Sequence, residues 1–174
     1  NMLNALASCA VCIFIGLDPE KSAAGLKKFT GSSRRFQLTG HMANGATVID
    51  DYAHHPTEMT ATLKTAREMD FDRIICVFQS HTYSRTKALL PQFVEALKLC
   101  DKAIVADIYA AREKNTFGIS GKDIADQLDG GEYYPSFEQI EARVREIAQP
   151  NDLIITMGAG NINCIGPKLC VDAK

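Results

Sequence analysis

Side chains that can bind nucleotides, hold carboxylates and move protons are concentrated in two short segments of the sequence. The first is Asp50-Asp51-Tyr52-Ala53-His54-His55-Pro56, and the second, residues 79–86, contains His81 and Arg85. Each segment follows an apolar run with the length and composition of a buried strand. Three of the four histidines lie in these segments, beside two carboxylates and a guanidinium. This concentration is unusual for structural loops, so we expect a ligand site.

Structural roles are open to several of these residues. An aspartate in a turn is a common helix N-cap, so Asp50 or Asp51 could cap the helix that begins at Pro56. His54 and His55 could bind a metal ion, but adjacent side chains diverge and no third ligand has the right spacing. We therefore predict no metal site in this chain.

Two further features concern anions and nucleotides. Arg85 lies near a helix start among serine and threonine residues, which suits an anion, although pairing with a helix-face glutamate is the structural alternative. Gly158-Ala159-Gly160-Asn161 is only half of a dinucleotide fingerprint, and we interpret it as a tight turn that brings backbone amides to a ligand. The sequence contains no GxxxxGK[ST] loop, so nothing in this chain cradles a triphosphate on its own.

Alternating strand and helix patterns must position these residues. Asn44-Gly45 between two strand-like runs predicts a hairpin, and the pattern from Ser84 to Leu99 predicts one helix. Later strands are continuous apolar runs, as at 73–78 and 152–157, which is typical of a parallel sheet covered on both faces. The predicted fold class is α/β, a Rossmann-like doubly wound, mostly parallel sheet with an antiparallel hairpin at its start, preceded by a short helical segment. Ligands of such sheets bind outside the carboxyl ends of the strands, where the polar segments are expected to lie.

We divide the chain into two parts. Residues 1–31 contain two helix patterns and no strand, and they have the character of the end of a domain that begins upstream. Residues 32–174 contain the predicted sheet. The apolar helices of residues 1–30 could make this fragment a homodimer.

Composition excludes several classes of function. The 174 residues carry a net charge of −2, so bulk charge does not favour nucleic acid or an anionic membrane as a partner. The apolar run from Leu3 to Leu17 is too short to cross a bilayer. The six cysteines lie mostly in apolar runs, which fits a reducing, cytoplasmic compartment.

The motifs resemble those of the Mur ligase family. The resemblance rests on the segments 50–58 (DDYAHHPTE), 78–86 (FQSHTYSRT) and 158–162 (GAGNI), in the family's order and spacing. Residues 1–7 resemble the last helix of the family's central ATPase domain, and residues 29–36 resemble its interdomain linker. The match covers essentially the whole chain.

The resemblance implies a bacterial, cytoplasmic ligase of peptidoglycan synthesis. Such an enzyme couples ATP cleavage, with Mg²⁺, to joining L-alanine to the lactyl carboxylate of UDP-N-acetylmuramate through an acyl phosphate. Its partners would be these two substrates, with no nucleic acid or membrane. The UDP-sugar domain and most of the ATPase domain, which would supply the magnesium ligands, are not in this sequence. We therefore expect the fragment alone to be inactive.

The resemblance also implies roles for individual residues, none of them assigned as catalytic with certainty. Asn1 and Asn4 match the asparagines that lie near the adenine of ATP. Arg35 matches a linker arginine near the ATP phosphates, and Asp51 matches a carboxylate near the ribose. Further residues match positions near the acceptor carboxylate and the incoming amino acid, or in the loop that closes this pocket. They are Tyr52, His54, His81, Arg85, Gly158 and Asn161.

Departures from the family pattern leave alternatives open. Some members carry Arg where this chain has Thr82, and Pro where it has Ser80. A sister ligase for another amino acid or a cell-wall peptide is one alternative. A non-enzymatic, Rossmann-like nucleotide-binding module is another.

Overall fold

The computed structural model describes residues 2–29 and 31–173, which form two compact units, Asn1–Ser33 and Arg34–Lys174. The first unit contains helices α1 (Met2–Phe14) and α2 (Pro19–Lys27). Asp18 caps α2, since its carboxylate accepts hydrogen bonds from the backbone N–H groups of Glu20 and Lys21. We predict that residues 1–31 are the end of a central domain and that residues 1–30 could form a homodimer. Both statements stay predictions.

The second unit is built on a six-stranded sheet in the order β1-β2-β6-β3-β4-β5. β1 runs antiparallel to β2, and every other neighbouring pair is parallel. The predicted fold class is confirmed, including the hairpin at its start. The strands are β1 (Gln37–His41), β2 (Thr47–Asp51), β3 (Arg73–Phe78), β4 (Lys102–Ala106), β5 (Glu132–Tyr134) and β6 (Asp152–Met157).

Helices cover both faces of the sheet. Successive strand residues point to opposite sides, so a continuous apolar strand contributes side chains to the core on each face. In β6, Leu153, Ile155 and Met157 belong to one apolar cluster, and Ile154 belongs to the other. Helices α3, α5 and α6 pack in the first cluster, and α7 and α8 pack in the second. The helices of this unit are α3 (Pro56–Arg67), α4 (Tyr83–Ala88), α5 (Leu90–Leu97), α6 (Lys122–Ala125), α7 (Phe137–Ile147) and α8 (Ile165–Leu169), with a 3-10 turn at Ile162–Cys164.

Two sequence expectations differ from the structure. The helix expected from Ser84 to Leu99 is divided at Leu89 into α4 and α5. Pro91 explains the break, because proline has no backbone N–H to continue the α4 hydrogen-bond ladder and is instead favoured in the first turn of α5. The cap of α3 is His55, in a capping box with Glu58, so neither Asp50 nor Asp51 has the capping role that the sequence left open.

The sheet topology places the polar loops side by side. β6 lies between β2 and β3, and β4 follows β3, so the carboxyl ends of four parallel strands are neighbours. The segments after them begin at Tyr52, Gly158, Gln79 and Asp107. An isolated parallel bridge between His81 and Tyr109 continues the β3–β4 pairing into these loops. Within residues 2–29 and 31–173, the structure contains no helix long and apolar enough to cross a membrane.

Candidate functional site

Arg34 ties together three segments at this edge of the sheet. Its Nε lies 2.7 Å from Asp50 Oδ2, and its two terminal nitrogens donate to the carbonyl oxygens of Gly158 (2.7 Å) and Gly160 (3.2 Å). The guanidinium also lies over the Tyr52 ring, 4.9 Å from its centroid. The guanidinium therefore connects the end of β2 to the loop after β6.

Asp51 is buried and serves the backbone. Its Oδ2 accepts a hydrogen bond from the N–H of Phe36, and its Oδ1 accepts one from the N–H of Ala53, both at 2.8 Å. Only 7% of the residue is exposed. The carboxylate thus fixes the turn after β2 and the segment before β1, and its expected ribose contact stays a prediction.

The segment between β2 and α3 presents Tyr52 and His54 at the edge of the sheet. Tyr52 is 42% exposed and makes an edge-on contact with the His54 ring at 5.4 Å. His54 Nδ1 lies 3.0 Å from the Tyr52 carbonyl oxygen and 3.3 Å from Glu58 Oε2. Burial opposes ionisation of Glu58, but the N–H groups and charges of His54 and His55 outweigh it and lower the pKa of Glu58. The anion at the helix N-terminus holds this turn in place.

The loop after β3 and the start of α4 contain three buried polar atoms without a hydrogen-bond partner in the described parts of the chain. They are Gln79 Oε1, His81 Nδ1 and Arg85 Nη1. Buried polar atoms are normally paired, so three such atoms within seven residues mark a place where a ligand would complete the bonding. A guanidinium suits a carboxylate, and a neutral imidazole can accept a hydrogen bond or a proton.

The surroundings of His81 disfavour its protonated form. Burial lowers its pKa, and the positive charges of Arg85 and His54 act in the same direction, against a smaller opposite effect of Glu113. Its ring stacks on Tyr109 at 5.5 Å and meets His54 edge-on at 6.3 Å. The imidazole is therefore positioned between the loops that follow β2 and β4.

The turn before α4 is strained. Thr82 has φ of 69° and ψ of 143°, a region that a β-branched residue rarely adopts. The Thr82 carbonyl accepts a hydrogen bond from the Thr86 hydroxyl, and its N–H donates to the Tyr109 carbonyl. Glu113 accepts hydrogen bonds from the backbone N–H and hydroxyl of Ser84 at the start of α4. These contacts fix the direction in which Arg85 leaves the helix.

Two glycines allow the loop after β6 to lie directly on Gln79. Gly158 has φ of 144°, and a Cβ there would lie 2.3 Å from the Gln79 carbonyl oxygen. A Cβ at Gly160 would lie 2.3 Å from Gln79 Oε1 and 2.8 Å from Tyr109 Cβ. The other end of the Gln79 amide is fixed, because its Nε2 donates to the Asp107 carbonyl. Only glycine fits this close approach.

The structure brings together some of the predicted site residues and leaves others apart. Tyr52, His54, His81 and Gly158 lie on adjoining loops, with Arg85 in the first turns of α4, and Asn161 is exposed at the end of the Gly158–Gly160 segment. Asn4 is exposed in α1 of the first unit, and Asn1 lies outside the described residues. Their proposed contacts with substrate or nucleotide stay predictions.

The family resemblance implied Arg35 as a site residue and did not imply its neighbour Arg34. Arg35 is exposed, whereas Arg34 makes the contacts with Asp50 and the glycine loop. Gln79 and Glu113 were also missed as site residues. Gln79 belongs to a motif that was recognised, so its place between β3 and His81 was the available signal. Glu113 lies in a loop without a pattern, and no sequence signal pointed to it.

The edge of the sheet offers groups that could bind a carboxylate, an amine and a phosphate. Among residues 2–29 and 31–173, no group of three or more His, Cys, Asp or Glu side chains could hold a metal ion. Arg85 Nη1 and His81 Nδ1, which have no hydrogen-bond partner among the described residues, are groups of the kinds that pair with a carboxylate and an amine. Arg35 is the exposed cation before β1 that could meet a phosphate.

A family model described as "Mur ligase, glutamate ligase domain" matches residues 34–160. The chain belongs to the Mur ligase family. The resemblance drawn from the motifs is thereby confirmed, and the matched region is nearly the whole of the second unit.

Curated Mur ligases match over nearly all of the chain. It is 53% identical, over 97% of its length, to a UDP-N-acetylmuramate–L-alanine ligase of Agathobacter rectalis. It is 47% identical, over 100% of its length, to the ligase of the same name from Caldanaerobacter subterraneus subsp. tengcongensis. The chain spans 38% of the length of each of these relatives.

Solved Mur ligases share the fold. A UDP-N-acetylmuramate–alanine ligase from Thermotoga maritima matches with a TM-score of 0.79 and 29% identity, over 97% of this chain and 36% of that one. A murein peptide ligase from Psychrobacter arcticus matches with a TM-score of 0.70 at 23% identity, over 95% of this chain and 35% of that one. The second likeness concerns the fold alone.

Proposed function

We propose that this chain is the C-terminal part of an ATP-dependent ligase that joins L-alanine to UDP-N-acetylmuramate in peptidoglycan synthesis. The observation that carries the proposal is its 53% identity, over almost its whole length, to a ligase named for that reaction. Since the chain spans 38% of that relative, the activity belongs to a longer protein. The 174-residue chain alone is expected to be inactive.

The three unpartnered atoms after β3 support a binding role for the incoming amino acid. Arg85 Nη1 is a buried donor without a partner in the described residues, and a carboxylate such as that of alanine would supply a charged acceptor. His81, kept neutral because burial and nearby positive charge lower its pKa, can accept a hydrogen bond or a proton from the amine. These two side chains would orient the amine towards the acceptor carboxylate.

Activation of the acceptor carboxylate would depend on the rest of the enzyme. ATP, with Mg²⁺, would supply the phosphoryl group that turns the lactyl carboxylate into an acyl phosphate. In this chain, Arg35 is the exposed cation proposed to meet the ATP phosphates, and Asp51, Asn1 and Asn4 are proposed on the nucleoside side. Tyr52, His54, Gly158 and Asn161 would border the acceptor and the amino acid. Catalysis by this domain would consist mainly of positioning.

The proposal is tested with the complete protein that contains this chain. ATP-dependent phosphate release and product mass are measured with UDP-N-acetylmuramate and each of L-alanine, glycine, L-serine and L-alanyl-γ-D-glutamyl-diaminopimelate. We expect release only with a small amino acid, with L-alanine giving the highest kcat/KM. Preference for the peptide would replace the alanine assignment with a peptide ligase. Tight nucleotide binding without any ligation would favour a nucleotide-binding module.

Bacterial cytoplasm is the proposed location, because UDP-activated sugars and ATP are the proposed substrates. The tested protein is accordingly purified from a cytosolic fraction under reducing conditions. Recovery of the native protein only with an outer-surface or secreted fraction would contradict this part of the proposal.

A further inference from the structure

Arg34 makes more contacts at the edge of the sheet than a surface ion pair requires. Its side chain is 21% exposed and its partner Asp50 is 8% exposed. Asp50 is held in turn by Thr156, whose hydroxyl donates to Asp50 Oδ1 at 2.7 Å. The Arg34 backbone is also fixed, because its N–H donates to Gln37 Oε1 and its carbonyl accepts from the Tyr52 N–H. Arg34 is therefore held at both its main chain and its side chain.

The guanidinium is the only donor shape that suits this set of acceptors. A carboxylate oxygen and two main-chain carbonyls lie around one planar group, and each of its three nitrogens has a separate acceptor. A lysine ammonium is a compact charge on a flexible stem and lacks this fork. Lysine at residue 34 could pair with Asp50, but it could not hold both glycine carbonyls and cover the Tyr52 ring.

We propose that Arg34 is a positioning residue that sets the Gly158–Gly160 loop and Tyr52 for binding of the incoming amino acid. The inference rests on the proposed function for the identity of that ligand. The same loop also lies against Gln79, where both glycines leave no space for a Cβ. Arg34, through the two carbonyls, and Gln79, through the close approach, thus clamp the loop by separate contacts. Releasing the Arg34 contacts should loosen the loop without removing any group that touches the amino acid.

A matched arginine elsewhere in the unit separates positioning from general stability. Arg67 also pairs with one carboxylate, Asp101, at 2.8 Å, and donates to one main-chain carbonyl, that of Leu99, at 2.7 Å. It lies at the end of α3, beside the segment that leads into β4, at the amino ends of the strands. Arg67→Lys is therefore the control for Arg34→Lys.

The kinetic test uses the complete protein. Arg34→Lys is expected to raise the KM for L-alanine by about 10-fold or more, because loop disorder must be overcome on binding, while the KM for ATP changes by less than about 3-fold. Arg67→Lys should leave both KM values unchanged. Equal KM values for L-alanine in Arg34→Lys and wild type would overturn the proposal. Absence of alanine ligation by the wild type would instead refute the proposed function.

A second measurement does not depend on activity. The Gly158 N–H donates to the Asp51 carbonyl, so its hydrogen exchange reports on the loop. In the 174-residue chain, Arg34→Lys should speed exchange at residues 158–161 by about 10-fold or more relative to the centre of β6, and Arg67→Lys should not. Unchanged exchange would contradict the clamp. If Arg34→Lys does not fold, Asp50→Asn, which weakens the same ion pair, is measured with the same expected and contrary outcomes.

Discussion

Gln79 and Gly160 are in such close contact that a Cβ on residue 160 would lie 2.3 Å from Gln79 Oε1. The glutamine amide is held from its other end by the Asp107 carbonyl, so it cannot turn away without losing that hydrogen bond. The side chain after β3 thus determines how near the loop after β6 can come. This contact and the hydrogen bonds of Arg34 to the Gly158 and Gly160 carbonyls together make the clamp.

Gly160→Ala should destabilise the 174-residue chain by about 1–3 kcal/mol, because the added methyl group overpacks against Gln79 and Tyr109. Urea unfolding followed by circular dichroism measures the change. Gly25→Ala is the control. Nothing lies within 4 Å of its Cβ position in α2, so this substitution should not destabilise the chain. Equal stability of Gly160→Ala and wild type would show that the loop is free to move aside.

Asp51→Asn should also destabilise the chain, by about 1–3 kcal/mol, although it keeps the shape of the side chain. Both carboxylate oxygens accept backbone N–H groups, and the asparagine NH₂ would face one of these donors. The measurement is again urea unfolding, with Asp126→Asn as a control because Asp126 is exposed and pairs with Lys122. A stability of Asp51→Asn equal to that of wild type would contradict this structural role, and weakened ATP use by the complete protein would separately support the proposed nucleotide contact.

Glu132 should determine part of the acid stability. Bidentate pairing with Arg143 lowers the pKa of Glu132 from 4.5 to about 2, against burial and with help from Lys102 and Tyr134. A carboxyl whose pKa is lower in the folded state adds stability above pH 4.5, and that stability is lost as the pH falls from 4.5 to about 2.

The stability difference between wild type and Glu132→Gln should therefore shrink over that pH interval. Thermal unfolding at several pH values measures it. Glu95→Gln, which removes an exposed carboxylate on α5, should show no such narrowing. A constant difference from pH 6 to pH 3 would rule out the ionic explanation.

Because of His81, the free energy of unfolding should decrease as the pH falls below 6.5. Burial and the charges of Arg85 and His54 lower its pKa in the folded state, so the unfolded chain binds the proton first. Stability from His81 is then present above pH 6.5 and is lost as the pH falls through the lowered value.

His81→Phe keeps the ring that stacks on Tyr109 but removes the titration. Stability measured between pH 7.5 and pH 5 should fall less in His81→Phe than in wild type. His41→Phe, which alters a half-exposed histidine paired with Asp172, should keep the loss attributed to His81. Parallel pH profiles for wild type and His81→Phe would contradict the assignment.

Much of the fold could be predicted because its signals are local. Continuous apolar runs marked β3 and β6 at their observed bounds, and Asn44-Gly45 marked the hairpin. The break at Leu89 was missed because the apolar periodicity continues through it, although Pro91 was a visible signal. At α3, histidine acts as the cap through Nδ1, a role more common for Asp, Asn, Ser and Thr.

The site could be predicted by its location more readily than by its contacts. Strand order was not needed to gather the loops at one edge, since every parallel strand ends there. Which of Arg34 and Arg35 points inward depends on the left-handed backbone at Arg34 (φ 56°) and Phe36 (φ 49°), and composition does not reveal this. Pairing of Glu113 with Ser84 depends on contact between distant segments, which is a property of the tertiary structure.

The most direct test of the central claim is the KM for L-alanine of Arg85→Lys in the complete protein. Lysine keeps the charge but loses the planar fork, so we expect impairment of L-alanine use by about 10–100-fold with little change in the KM for ATP. An unchanged KM for L-alanine would contradict the claim that this edge of the sheet receives the amino acid.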